Sequence, residues 1–240
     1  MATTSGTYNY FPAASNLLLT AFGRCLIRRE MITAEHMDDA NNEINLVQVE
    51  FSNRQPNLWT TELYPVSLTA AIPTYTLNSR LIAIQVAYLT TTDASGNSTD
   101  RIIWPYSTFE YGAIPNKAQT GPPTSYWYNR LTTPQVTLWP VPDSAATYTL
   151  NLRICHQPAD AVLQGGLQLD LPYRFLDAWI AAVAARIADI YPAPLVQMKG
   201  PGAIAEMWTK AERAWTLAAT EDKERVHIYL QPQVEGYWRT

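Results

Sequence analysis

Apolar residues recur at helical spacing near the start of the chain. Ser15 is a candidate N-cap for a helix that runs to about Arg29, and Thr33 is a candidate N-cap for a second helix. The second helix carries an apolar stripe spaced 3, 4, 3 and 4, formed by Met37, Ala40, Ile44, Val47 and Phe51. Because only a short link joins them, the two helices are predicted to form an antiparallel pair.

Helical spacing returns after Pro158. Asp170 is a candidate N-cap, with Pro172 just inside the helix start, and Pro192 is expected to end this helix. One side of it carries Phe175, Trp179, Ala182, Val183, Arg186, Ile187 and Ile190. The last predicted helix has a stripe formed by Ile204, Trp208, Ala211, Trp215 and Ala218. The two helix pairs together predict one four-helix bundle.

Between the helix pairs the apolar period changes to two, which is typical of strands. The predicted strands are Trp59–Pro65, Thr74–Leu77, Leu81–Thr90, Asp100–Tyr106, Ser125–Arg130, Gln135–Trp139 and Thr147–His156. Residues 91–99 predict a hairpin loop, and the last two strands flank a proline-rich turn that predicts a second hairpin. This number of short strands predicts an antiparallel β-sandwich or a barrel-like sheet.

The predicted fold is therefore α+β, with a β-domain inserted between two helix pairs. We expect an N-terminal arm and helix pair at 1–57, the β-domain at 58–158, the second helix pair at 159–224 and an extended tail at 225–240. Apolar and polar residues alternate in the tail, which ends in an aromatic pair. We expect this segment to dock on a partner, because it is too apolar for a solvated terminus.

Composition narrows the function classes. Charged residues make up 16% of the 240 residues, against about 25% in typical globular proteins. The low charge indicates either a surface covered by partners or a surface of uncharged polar residues. A net charge of -4 argues against a dedicated nucleic-acid binder, although passive contact with DNA stays open. The sequence has no secretory signal and no apolar run of about 18 residues, so we expect a soluble protein made in a cytosol.

Candidate chemistry is sparse. The histidines fall in three different predicted elements, at His36, His156 and His227. Cys25 and Cys155 lack partners at metal-ligand spacing and are predicted to be small buried apolar residues. The carboxylates near the β-domain lack the apolar surroundings that a general acid needs: Asp93, Asp100 and Glu110. We therefore expect no catalytic, cofactor-binding or metal-binding residues and no enzyme activity.

Aromatic residues give the strongest indication of a binding surface. In the strand around Ser125, the period of two places Tyr126 and Tyr128 on one face and Trp127 on the other. Both faces then need cover, which is typical of a protein interface or a carbohydrate platform. Because Trp and Tyr are preferred anchors of protein interfaces, we favour contact with a neighbouring protomer or with another protein.

Three segments resemble the head-to-tail adaptor proteins of short-tailed bacteriophages, which are also called head completion or tail accessory proteins. They are the first helix pair at 17–59, the strand, Pro-Val-Pro-Asp turn and strand at 136–154, and the acidic-proline helix start with its alanine-rich helix at 169–191. The resemblance implies a virion protein of the neck, made in the host bacterial cytoplasm, that connects head and tail.

The resemblance also implies partners. A ring of twelve copies would bind the portal protein, extend the DNA channel for genome ejection and present the attachment surface for the tail nozzle and other tail proteins. DNA would pass in passive contact, and no membrane is involved. The C-terminal tail would reach the portal through Ile228, Tyr229, Leu230, Tyr237 and Trp238.

Two other functions stay open at this point. The aromatic cluster and the acids near it also suit a tail-associated carbohydrate-binding module or a cell-wall hydrolase, which glycan arrays or a cell-wall turbidity assay would reveal. Another structural virion protein, such as a tail-tube or neck component, would differ from an adaptor in the mass and symmetry of its oligomer.

Overall fold

A computed structural model describes residues 6, 7, 10–54 and 58–222. Within these residues the fold is α+β, as predicted, with six α-helices and two sheets of four strands each. The helices are α1 (Ala14–Arg24), α2 (Ala34–Arg54), α3 (Thr108–Ala113), α4 (Leu176–Ile190), α5 (Ala193–Lys199) and α6 (Ala203–Glu221). The strands are β1 (Thr61–Ser67), β2 (Thr74–Thr76), β3 (Leu81–Thr92), β4 (Ser98–Ile102), β5 (Trp104–Tyr106), β6 (Ser125–Asn129), β7 (Gln135–Trp139) and β8 (Thr147–His156).

The α4 helix lies at the centre of the helical core. It packs against α1, α2 and α6, so residues from both ends of the chain share one apolar cluster. Six residues of α4 are alanines, and their small side chains let the neighbouring helices approach closely. The helix therefore contacts neighbours from both the N-terminal and the C-terminal part of the chain.

Two of the predicted helix starts are wrong, and one is confirmed. The Thr33 hydroxyl accepts a hydrogen bond from the backbone N–H of His36 across 3.4 Å, as an N-cap does. Ser15 instead lies inside α1, whose N-cap is Ala13. Asp170 accepts from the backbone N–H of Ala159 across 3.0 Å, and α4 begins only at Leu176, after a 3-10 turn.

One helix end differs from prediction, and another is followed by a helix that was not predicted. The α1 helix ends at Arg24 rather than near Arg29, because Leu26 adopts a left-handed backbone with φ of 64°. Pro192 does not only end a helix: it is also the N-cap of α5, which the sequence did not predict. Proline is favourable there because the first helical turn needs no donor from it.

The apolar stripes of α2 and α6 are buried for most of their length. In α2 the four stripe residues after Met37 are buried: Ala40, Ile44, Val47 and Phe51. In α6 the buried members are Ala211, Trp215 and Ala218. Trp208 is partly exposed instead, and its indole N–H donates to Asp189 Oδ2 across 3.0 Å.

A network of ion pairs joins three helices at the edge of this core. The Arg186 guanidinium of α4 donates to Glu43 and Glu50 of α2, at 2.9 Å each. Arg54 of α2 pairs with Glu50 and reaches Glu212 of α6 at 2.7 Å. Arg186, the polar residue in the predicted α4 stripe, thus connects helices from the two ends of the chain.

The eight strands form two sheets that share one apolar core. The first sheet has the order β1-β8-β3-β4, with all its pairs antiparallel. The second has the order β2-β7-β6-β5, and its β5–β6 pair is parallel. The core between them includes Leu89, Leu150, Leu152 and Ile154 from the first sheet and Tyr126, Val136 and Leu138 from the second. The predicted strand Asp100–Tyr106 is split into β4 and β5, which lie in different sheets.

The hairpin predicted around the proline-rich turn is wrong, although both of its strands exist. β7 pairs with β2 and β6, whereas β8 pairs with β1 and β3 in the other sheet. The connecting segment is bonded to other loops: Val141 N–H donates to Gln119 O, and Pro142 O accepts from Ala71 N–H, each across 2.8 Å. These bonds replace those of a tight turn, so the chain crosses from one sheet to the other.

The other predicted hairpin is confirmed. β3 and β4 pair directly, and the loop between them is residues 93–97. The carboxylate of Asp93 accepts from the backbone N–H groups of Ser95 and Asn97 at 2.8 and 2.9 Å. The same hydrogen bonds lower the pKa of Asp93, which therefore serves as a turn residue.

Candidate partner-binding surface

Unequal strand lengths open a groove on one side of the two sheets. β4 pairs only with Tyr88–Thr92 of β3, and β5 pairs only with Ser125–Trp127 of β6. In the part of the chain that the structure describes, residues 81–86 of β3 have no strand partner on the side away from β8. The gap between this free edge and the end of β6 is a groove of about 550 Å³.

The groove is lined mainly by apolar and aromatic side chains. Its exposed apolar residues include Trp104 at 68%, Ile102 at 59% and Val86 at 46% exposure. Tyr126 and Tyr128 form its floor, and burial raises the pKa of both phenols. The Tyr128 hydroxyl donates to Leu81 O across 3.3 Å, which joins the second sheet to the start of β3.

One of the residues that line the groove, Arg130, is positively charged. Arg130 is exposed, and its guanidinium lies 5.8 Å from the centroid of the Tyr128 ring. Within the described residues it forms no ion pair. A groove with apolar walls and one uncompensated positive charge suits an apolar partner that carries a carboxylate.

Trp127 faces the opposite side of β6 from the two tyrosines. Its ring stacks on Tyr111 of α3, with centroids 4.9 Å apart and planes 10° apart, and its N–H donates to Thr108 Oγ1 across 3.3 Å. One face of the indole is therefore occupied, which reduces its use as a carbohydrate platform. The structure places Tyr126, Trp127 and Tyr128 on the two faces expected, and their role in partner binding stays a prediction.

A capping box holds α3 over this face of the sheet. The Ser107 hydroxyl accepts from the backbone N–H of Glu110 across 3.1 Å, and Glu110 Oε2 accepts from the backbone N–H of Ser107 across 2.7 Å. These bonds lower the pKa of Glu110, whereas a general acid needs a raised pKa. The helix presents Phe109 to solvent at 85% exposure.

The other side chains considered for chemistry have structural surroundings. Asp100 accepts from the Thr90 hydroxyl across 2.6 Å. His36 stacks on Tyr191 with ring centroids 4.2 Å apart, while burial and the charge of Arg80 lower the pKa of His156. Among the described residues, no group of three or more His, Cys, Asp or Glu side chains could hold a metal ion.

No single helix of the described chain is long and apolar enough to cross a membrane. Only the segments Tyr173–Ile190 and Ala193–Lys199 together reach that length and composition, and they are bent by 96°.

The predicted tail anchors lie outside the described residues. These are Ile228, Tyr229, Leu230, Tyr237 and Trp238. The described chain ends at Asp222, a buried carboxylate that accepts a hydrogen bond from Arg174.

Sequence reasoning missed most of the groove. Val86 and Arg130 had no signal of their own, and Trp104 stood out only as one of several aromatic residues in the strands. The groove exists only where β3 and β6 extend beyond their shorter neighbours β4 and β5. It also missed Leu63 of β1, which is 55% exposed at the other edge of the first sheet. Pro65 in the same strand is a local signal for that edge, since proline is confined to edge strands and bulges.

The groove is thus apolar and weakly charged, and the carboxylates considered for chemistry are engaged in turns and caps. Comparison with protein families gives the particular class: the chain belongs to the SU10 adaptor protein family, whose sequence profile matches residues 18–231. The predicted resemblance to phage head-to-tail adaptors is thereby confirmed. The match includes Leu230 and ends before Tyr237. No curated protein matches the chain.

Family membership supports the coarser part of the functional prediction. An adaptor is a structural component of the phage virion at the head–tail junction, and its partners are portal and tail proteins. Membership of an adaptor family implies a structural, non-enzymatic role.

Proposed function

We propose that the chain is a head-to-tail adaptor that binds the portal as a ring, extends the DNA channel and provides the attachment surface for the tail. The observation that carries this proposal is the family match, which spans residues 18–231 and so includes most of α1, the other five helices and both sheets. The ring would have twelve copies and would lie in the neck of the virion, where DNA passes during genome ejection.

We assign parts of this work to separate segments of the chain. Residues 1–57 and 159–224 would form a four-helix bundle, and residues 58–158 a β-sandwich that carries contact surfaces. Residues 225–240 would reach the portal. The shared helical core supports the bundle, since α1, α2, α4 and α6 contribute to one apolar cluster, and the core shared by the two sheets supports the sandwich.

The surface chemistry is consistent with this role. Apolar groove residues and the aromatic β6 strand offer contact area for protomers or tail proteins, because aromatic side chains dominate interface energetics. The net charge of -4 suits a channel wall that must not retain DNA, since phosphate attraction comes from Lys and Arg.

Mixing the purified protein with its portal protein tests the proposal. We expect twelve-fold rings beneath the portal in negative-stain images, and their absence would contradict the adaptor function. A chain truncated after residue 224 is expected to lose portal affinity. If that truncated chain assembles on the portal with unchanged affinity, the role assigned to Ile228, Tyr229, Leu230, Tyr237 and Trp238 is wrong.

A further inference from the structure

The first sheet has two exposed edges that lie at the same level. β1 forms one edge, and the uncovered half of β3 lies on the other side of β8. Leu63 of β1 and Val86 of β3 both pair with Arg153 of β8, and Glu62 and Ile84 both pair with Ile154. The β1 edge and the uncovered segment of β3 therefore lie at the same level of the sheet, on opposite sides of β8.

We propose that the groove receives the β1 edge of a second copy of this chain, with Leu63 of that copy beside Val86 and its Glu62 facing Arg130. The inference rests on the proposed function, because a ring of identical copies needs two different, complementary surfaces on each copy. Edges on opposite sides of one sheet meet this requirement, since each copy can then contact one neighbour on each side.

The alternation of side chains supports this fit. Ile154 is buried between the sheets, so Glu62 and Ile84 in the same row point toward the second sheet. Leu63 and Val86 point to the outer face. A second β1 laid beside β3 would place Leu63 next to Val86 on the outside. The same placement would turn Glu62 of the second copy toward the inner side of the sheet. Arg130 lies on that side, because it lines the groove together with Tyr128.

The charges at the two edges are complementary. Glu62 has His156 Nδ1 at 3.9 Å, but burial and the charge of Arg80 lower the pKa of His156, which favours the neutral imidazole. Arg130 forms no ion pair within the described chain. Each copy thus carries an uncompensated carboxylate at one edge and an uncompensated guanidinium at the other, which favours association of unlike edges.

Pro65 limits how far the edges can pair. It lies within β1, opposite Asn151 of β8, and it has no backbone donor. Pairing through β1 is therefore confined to the residues before Pro65, and of these Thr61–Leu63 lie at the level of Ala83–Val86 in the uncovered β3 segment. A proline in an edge strand also protects against unlimited strand association.

Disulfide trapping tests the contact with the full chain, alone and on the portal. Leu63→Cys and Val86→Cys chains are mixed under mild oxidation, where Cys25 and Cys155 stay inert because both are buried. We expect a mixed disulfide dimer, and a ladder of covalent multimers from the double variant. Ile72→Cys is the matched control for Leu63→Cys, because Ile72 is also exposed, at 43%, but lies in the turn beyond the other end of β1.

Charge reversal gives a second readout. Glu62→Arg and Arg130→Glu are each expected to reduce the yield of the mixed disulfide at least about tenfold through like-charge repulsion. The double reversal within one chain is expected to restore it. Both side chains are exposed, so circular dichroism should show unchanged folding in all three variants.

The outcomes separate this contact from the adaptor function. A mixed disulfide no more abundant than the Ile72→Cys control, both alone and on the portal, overturns the contact. Rings without the disulfide leave the adaptor function standing, whereas the disulfide without rings supports the contact and contradicts that function. An intrachain disulfide between Val86→Cys and Ile228→Cys would assign the groove to the chain's own C-terminal segment and would also overturn the proposal.

Discussion

Cys25 donates its thiol to the carbonyl oxygen of Ala184 across 3.1 Å and so joins α1 directly to α4. The thiol lies in the centre of the helical core, where burial raises its pKa from 9.0 to about 12. The neutral thiol is thus required both by the hydrogen bond and by the apolar surroundings. This contact between residues distant in sequence depends on the small alanines of α4.

The buried thiol predicts a loss of stability in mild alkali. Because the pKa of Cys25 is raised on folding, its contribution is fully present below pH 9.0 and is lost as the pH rises toward about 12. At pH 10 the loss is roughly 1 kcal/mol relative to pH 8. Urea unfolding at both pH values measures it, and Cys25→Ala should remove this part of the pH dependence. An equal decline in that variant would contradict the prediction.

The ion-pair network predicts that substitution of Arg186 lowers the free energy of unfolding more than substitution of Lys210. Arg186→Met should lower the free energy of unfolding by about 2 kcal/mol, because the largely buried Glu43 loses its ion-pair partner and Glu50 keeps only Arg54. Lys210→Met is the matched control, since its pair with Glu206 is exposed and contributes less than about 0.5 kcal/mol. Equal effects in urea unfolding at pH 7 would show that the network is not stabilising.

The same network predicts sensitivity to acid. Burial alone would raise the pKa of Glu50, but hydrogen bonds from Arg186 and Arg54 lower it below 4.5. Its contribution is therefore present above pH 4.5 and is lost as the pH falls through the lowered pKa. We expect the stability difference between wild type and Arg186→Met to shrink below pH 4.5. A difference that stays constant down to pH 3 would count against this interpretation.

The capping box of α3 predicts a local effect. Ser107→Ala should destabilise α3 by about 1 kcal/mol, because the N–H of Glu110 loses its acceptor. Hydrogen exchange should become faster across Thr108–Ala113, with exposure of Trp127 reported by fluorescence. Ser144→Ala, in an exposed loop, is expected to leave both unchanged. Unaltered exchange in the Ser107 variant would mean that the Tyr111–Trp127 stack alone holds the helix.

Substitutions of two tryptophans should affect folding and assembly separately. Trp179 is fully buried in α4, so Trp179→Ala should cost about 3–5 kcal/mol. Trp104 lines the groove and is mostly exposed, so Trp104→Ala should change stability by less than about 0.5 kcal/mol. We expect the Trp104 variant to fold normally and to assemble less well on the portal. Normal assembly would exclude this side chain from the contact.

Local patterns predicted most elements correctly because each depends on neighbouring residues. The stripe from Ala40 to Phe51 repeats at helical spacing, and its buried face needs no knowledge of the partner helix. β6, β7 and β8 were likewise visible from alternation. Helix ends were less well predicted: the αL backbone of Leu26 and the engagement of Asp170 with Ala159 depend on surrounding loops.

The candidate site was also predicted only in part. Tyr126, Trp127 and Tyr128 could be assigned to opposite faces because side-chain direction in a strand has a period of two. Which of them meets solvent could not be predicted, because α3 covers Trp127 and the sheets bury Tyr126. The groove was invisible because it depends on the lengths of β4 and β5 relative to strands far along the chain.

Periodicity and local motifs are properties of adjacent residues, and they were enough to predict the α+β class, the helical stripes, the strand segments and the resemblance to phage adaptors. Contacts between distant residues place β7 and β8 in different sheets, join α4 to α2 through Arg186 and open a groove beside β3. The physical reason is that strand pairing and ion pairing are long-range choices. A strand with one apolar face can pair with several neighbours, and the shared core selects among them.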